Sequence, residues 1–179
     1  MPEFFSSVED LVRVLERPKR LITPCSWVMP GKYGQRSLRL KATLRDETAA
    51  IRGVSLEIGC NIEGFDLPIR VVLLAEVKNK PRAMARIDIN GSRHENLYAI
   101  CGDAQFSDAG QTHFHDTWLH RGLTIEQLFN GDWDLPVARQ IDDMPRKFSE
   151  AMEKCGELLH IGNLSEIEEP QWQPKRFPF

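Results

Sequence analysis

The chain lacks several features that would have settled its chemistry at once. Its four cysteines, Cys25, Cys60, Cys101 and Cys155, form no CxxC and no zinc-ligand spacing, so a redox motif or a structural zinc framework is not expected. They read as reduced thiols, mostly buried. There is no glycine-rich phosphate loop, no dinucleotide fingerprint and no G-x-S-x-G elbow, which removes the common nucleotide-binding and serine-hydrolase classes. No apolar run approaches the length needed to cross a bilayer. The opening "MPEFFSSVEDLVRVLERPKR" has early acidic residues and no basic flank before an apolar run, so a secretory leader is not expected. The expected location is therefore cytoplasmic, with no membrane partner.

What is present is ordinary globular composition, 41% hydrophobic and 27% charged over 179 residues, with a net charge of −3. The charge is unevenly spread. Residues 1–87 hold 15 Lys/Arg against 10 Asp/Glu, and residues 88–179 hold 8 against 16. A basic face on the first half is compatible with that asymmetry.

The periodicities predict an α+β domain over residues 1–165: a mainly antiparallel sheet of five to six strands, with an N-terminal helix and a C-terminal helix packed on it. Ser7 and Asp10 have capping-box spacing, and Val8, Leu11, Val12 and Leu15 follow helical spacing up to Pro18. "RLITPCSWVM" reads as a strand that Pro24 restricts to an edge or a bulge. "SLRLKATLR" and "AIRGVSLEIGC" alternate cleanly, and "LPIRVVLLAEV" is apolar enough for a central strand. Residues 84–90 and 112–118 are expected as strands of one sheet. Between them runs a connection of about twenty residues, with a short strand expected in "LYAIC"; loops of that length are often functional. A second clear helix is predicted from Asp142 or Asp143, with Met144, Phe148, Met152, Cys155 and Leu159 toward the core. Residues 166–179 read as a Pro-rich tail.

Three of the five histidines fall in "QTHFHDTWLHR". On a strand, residues two apart share a face at roughly 6.5 to 7 Å. His113 and His115 can therefore converge, while His120 has the wrong parity and His160 suits a helix end. Arg86, Asp88 and Asn90 have matching parity on the other strand. A carboxylate beside an imidazole fixes its tautomer, and an arginine stabilises phosphate charge. The catalytic candidates are accordingly His113, His115, Arg86 and Asp88. His94 and Asn96 in the connection, with Asn90, Arg39 and Lys41, are candidates for substrate binding.

These residues carry a resemblance. "RIDINGSRHEN", then "THFHD", then a helix ending "CGELLHI" is similar to small bacterial families of uncharacterised activity, often prophage-borne. Their pattern is an R-x-D strand, a G…H-x-N loop and an H-x-H strand, and the match covers most of residues 67–162. In that pattern Asn-Pro follows the loop histidine, where this chain has Glu95-Asn96-Leu97. The resemblance implies that the site residues act as a unit and implies no established activity. A similar H-x-H after R-x-D in ribonuclease toxins is an analogy only.

Four chemistries compete for these residues. The first is a ribonuclease-like, phosphodiester-acting enzyme with His113 and His115 as acid and base and no cofactor, its partner RNA. The second is a non-enzymatic binding protein of a mobile element, with a protein partner on the same face. The third is a divalent metal at His113, His115 and Asp88, cupin-like in its H-x-H, although no glutamate follows and Gly110 lies too close to His113. The fourth is a D…E-x-K magnesium site from Asp66, Glu76 and Lys78. The stripe Arg39, Lys41, Thr43 and Arg45 would follow a phosphate backbone or simply pair with Glu57. Oligomeric state leaves no signal in the sequence.

Overall fold

A computed structural model describes residues 5–29, 36–96, 108–129 and 135–173. The fold is α+β, as expected, but the sheet is larger. Its main sheet has eight strands: β1 (Arg20–Leu21), β2 (Trp27–Val28), β3 (Ser37–Arg45), β4 (Ala50–Asn61), β5 (Ile69–Val77), β6 (Lys80–Ile89), β9 (His113–Asp116) and β10 (Arg139–Gln140). All pairings are antiparallel, in the order β1-β3-β4-β5-β6-β9-β10, with β2 also on β3. A separate two-stranded hairpin joins β7 (His94–Glu95) and β8 (Asp108–Gly110). Among the described residues the α-helices are α1 (Val8–Glu16), α2 (Ile125–Leu128) and α3 (Phe148–Leu159).

The extra strands correct the expected count of five to six, and each is two residues long. Residues 20–29 form two such pieces rather than one strand, because Pro24 interrupts the ladder between them. The strand expected over 112–118 stops at Asp116. Its carboxylate accepts the Leu119 N–H and starts a 3-10 turn over Thr117–His120, so Trp118 is exposed instead of sharing the Phe114 face. The expected strand in "LYAIC" lies outside the described residues.

α1 begins as its capping box predicts, with Asp10 N–H donating to Ser7 Oγ and Ser7 N–H to Asp10 Oδ2. It ends on a buried lysine: Lys19 Nζ donates to the carbonyls of Val14, Leu15 and Arg17 at 2.7 to 2.9 Å. This satisfies last-turn carbonyls that would otherwise lack donors. α3 starts at Phe148, not near Asp142, so neither aspartate caps it. The backbone reaches it through Asp143 at φ 56°, and Met144 is only half-buried.

Alternation along β3 to β6 sends Leu40, Ile58, Val71, Leu73 and Ile87 to one face, all at 0% exposure. They join the apolar sides of α1 and α3 in one core. Phe148 is the hub of an aromatic group, 6.1 Å from Trp27, 6.2 Å from Phe65 and 6.1 Å from Trp172. Trp172 shows that the described part of the tail packs on the domain, and Gln173 N–H donates to Ile62 O. The polar face is thereby left to the site.

Truncating Phe148 removes the shared partner of three aromatic rings. Phe148→Ala is expected to cost about 3–5 kcal/mol in denaturant unfolding. An unchanged midpoint would mean that α3 contributes little to the core.

Candidate active site

The antiparallel register lines up two rows across the polar face. One runs Arg39, Gly59, Arg70, Asp88, His113 and Gln140; the next runs Lys41, Glu57, Val72, Arg86 and His115. Each histidine therefore stands directly beside a charged residue of β6. Asp88 is the junction. Its Oδ1 accepts from Arg70 Nε at 2.8 Å and its Oδ2 from Arg86 Nε at 2.8 Å. Oδ2 also lies 3.3 Å from His113 Nε2 and 3.9 Å from His115 Nε2. Burial alone would raise the Asp88 pKa. The His113 hydrogen bond and the charges of Arg86 and Arg70 outweigh it and hold the carboxyl well below the ordinary range.

The hairpin β7–β8 and residues 135–138 fold over this end of the sheet and bring in His94. Its ring centroid lies 5.2 Å from that of His113 and 4.6 Å from that of His115, while His113 and His115 are 4.9 Å apart. Each of the three rings gives one N–H to a backbone carbonyl. His94 Nε2 donates to Pro136 O at 3.1 Å, His113 Nδ1 to Gly110 O at 3.0 Å and His115 Nδ1 to Leu135 O at 2.7 Å. A carbonyl can only accept, so these contacts fix the tautomers.

The remaining nitrogens differ in their surroundings. His115 Nε2 accepts from Arg86 Nη2 at 2.6 Å, so both its nitrogens are engaged, and the ring is fully buried. Burial first, then the Arg86 charge, drives its pKa down to about 3. His113 Nε2 faces the Asp88 carboxylate, so both its nitrogens meet oxygen acceptors. His94 is half-buried, with Nδ1 as its lone-pair nitrogen. Burial lowers its pKa, the His113 and Arg86 charges add to that, and the Pro136 carbonyl and the neighbouring Asn96 side chain oppose it.

His94 and His113, but not His115, line a groove of about 630 Å³. Four arginines line it too, Arg39, Arg70, Arg86 and Arg93, against the acids Glu57 and Asp88. Gly59 forms part of its floor, with open space where a Cβ would project.

The other candidates from the sequence divide. Arg39 reaches the groove, while Lys41 pairs with Glu57 at 3.0 Å. Asn96 is buried away from it: Nδ2 donates to Ala138 O at 2.8 Å and Oδ1 accepts from Ala138 N at 2.7 Å. Asn90 lies past the end of β6 at φ 53°, its amide donating to Phe65 O. His120 is buried elsewhere, Nδ1 donating to Asp116 O and Nε2 accepting from Val137 N, so H-x-H-x4-H does not converge. His160 caps α3 in the left-handed region. Asp66 and Glu76 flank opposite ends of β5, and Lys78 pairs with Glu126, so D…E-x-K does not assemble.

Sequence reasoning missed Arg70 and Arg93. Arg70 was legible as the lone cation of an apolar strand, but only the register places it on Asp88. Family models, curated proteins and solved structures yield no match to this chain. No helix among the described residues is long and apolar enough to cross a membrane.

The buried neutral His115 has a consequence for stability. Its folded pKa, about 3, lies below the ordinary 6.5. The unfolded chain takes up this proton as pH falls through 6.5, while the folded chain resists until about 3. The contribution is therefore complete above pH 6.5 and is lost progressively below it. His94 and His120, also depressed, slope the same way. Urea unfolding from pH 7 to 4.5 should show falling stability, and His115→Gln should flatten the curve. An unaltered slope in that variant would refute the account.

Proposed function

We propose that the chain binds single-stranded RNA along the arginine-lined groove and cleaves it by metal-independent acid–base catalysis. The observation carrying this reading is the contrast between the two imidazoles on the groove wall. His94 has a lone pair at Nδ1 and a depressed pKa, as a general base requires. His113 Nε2 lies 3.3 Å from the Asp88 carboxylate, an acceptor that orients it as a donor, as a general acid requires.

In the proposed step a ribose 2′-hydroxyl gives its proton to His94 Nδ1 while its oxygen attacks the adjacent phosphorus. The bond from phosphorus to the 5′-oxygen breaks, and His113 Nε2–H protonates that oxygen. The products are a 2′,3′-cyclic phosphate and a 5′-hydroxyl end, with the proton gained by His94 matching the one lost by His113. An internal nucleophile needs no metal to generate it, because its effective concentration is already high. Arg86 and Arg70, held by Asp88, supply positive charge for the phosphorane. Arg39 and Arg93 extend that charge along the strand.

This reading alters one role expected from the sequence. His115 has no nitrogen to exchange a proton with substrate, so it acts as a positioning residue that holds the Arg86 guanidinium through Nε2.

A labelled single-stranded RNA should be cut in EDTA to cyclic-phosphate ends, and its DNA counterpart should remain intact. His94→Ala and His113→Ala should each lose on the order of 10²-fold or more in rate. His115→Gln should retain the bell-shaped pH profile at lower amplitude. Folded wild-type protein that leaves RNA intact, or that cuts DNA equally well, would sink the reading.

A further inference from the structure

The three histidines have a second capacity that acid–base chemistry does not use. One nitrogen from each of His94, His113 and His115 lies within 4.8 Å of the other two. Each ring commits one nitrogen to a backbone carbonyl, of Pro136, Gly110 and Leu135 respectively, which leaves the other as its ligand atom. Donation of the far N–H to an oxygen acceptor orients an imidazole and raises its basicity toward a metal. A chance cluster on a sheet has no reason to satisfy that condition three times.

A carboxylate stands beside two of the three. Asp88 Oδ2 lies 3.3 Å from His113 Nε2 and 3.9 Å from His115 Nε2. Ligand atoms around a tetrahedral zinc at its usual nitrogen distance stand about 3.3 Å apart. The three nitrogens, up to 4.8 Å apart, therefore need to close by about 1.5 Å.

One cation already sits at this point. Arg86 Nη2 occupies the His115 lone pair at 2.6 Å, and Arg86 Nε holds Asp88 Oδ2 at 2.8 Å. The Arg86 side chain is 23% exposed and borders the groove, so it has space to swing into. We infer that His94, His113 and His115 form an inhibitory site for a late first-row divalent cation such as zinc, with Arg86 as the gate the ion displaces and Asp88 beside it. The ion would take the His94 lone pair and the His113 proton position together, and separate Arg86 from Asp88. The catalytic reading and the metal-bound state then exclude one another at the same atoms. Nitrogen-rich ligands favour zinc, copper or nickel over magnesium.

The test uses the full chain, with zinc chloride followed by calorimetry and cobalt chloride followed by visible absorption. One ion per chain is expected, with the cobalt spectrum of a four-coordinate centre. His94→Ala and His115→Ala should each weaken zinc binding at least ~10-fold. Arg86→Met should tighten it, because no guanidinium has to leave. Circular dichroism checks each fold, and His94→Gln, at a half-buried position, serves if His115→Ala does not fold. The proposal is overturned if neither wild type nor Arg86→Met takes up an ion, or if affinity is indifferent to the histidines. Zinc should also stop RNA cleavage. Zinc binding by a chain that never cleaves RNA would leave the metal site standing and remove the catalytic reading alone.

Discussion

The site depends on the peptide groups of four consecutive residues, Leu135 to Ala138. Leu135 O takes the His115 proton, Pro136 O takes the His94 proton, and Val137 N–H donates to His120. Ala138 exchanges two hydrogen bonds with the Asn96 side chain. An unpartnered buried polar group costs about 1–3 kcal/mol. This stretch therefore cannot move without stranding several of them at once. It is anchored at its far end where Arg139 and Gln140 pair with Phe114 and His113. The register of that last short strand consequently sets which carbonyl meets which imidazole, and so which nitrogen of His94 and His115 carries the proton.

Asp88 supplies the electrostatic counterpart. One buried carboxylate serves two guanidiniums and one imidazole, so the cluster keeps surplus positive charge when the acid is fully ionised. Exposed pairs elsewhere on the same face, such as Lys41 with Glu57, contribute little because solvent screens them. The Asp88 contacts are partly desolvated and short. Removing this carboxylate would leave Arg86 and Arg70 facing each other without a common partner. That surplus is what supports the proposal of an anionic ligand.

Much of this frame was legible in the sequence. Strict alternation in β3 and β4 marked both faces, and shared parity put Arg86, Asp88, His113 and His115 on one side, as the β6–β9 register does. Other parts left no period to read. Two-residue strands are shorter than any alternation. "LPVA" at 135–138 looks like plain apolar connection, because its function lies in peptide groups that every residue carries. The place of Arg70 beside Asp88 left no signal, since cross-strand register is a property of two segments and not of one. α3 was placed early because Asp142 and Asp143 resemble caps. Asp143 instead adopts a left-handed backbone, and the helix waits until after Pro145.

The largest gap between spacing and chemistry concerns His113 and His115. Position two apart on a strand establishes a common face and nothing about depth. His113 sits at the groove edge, opposite Asp88. His115 sits one row further in, beneath Leu135, where burial and Arg86 keep it neutral. The histidine that completes the site with His113 comes from a different element, on a hairpin whose place is set by Asn96 and the 135–138 backbone. An H-x-H motif therefore specifies a direction along the sheet. Which of its imidazoles reaches the groove is decided by what covers them, and here the cover is a stretch of main chain that no motif records.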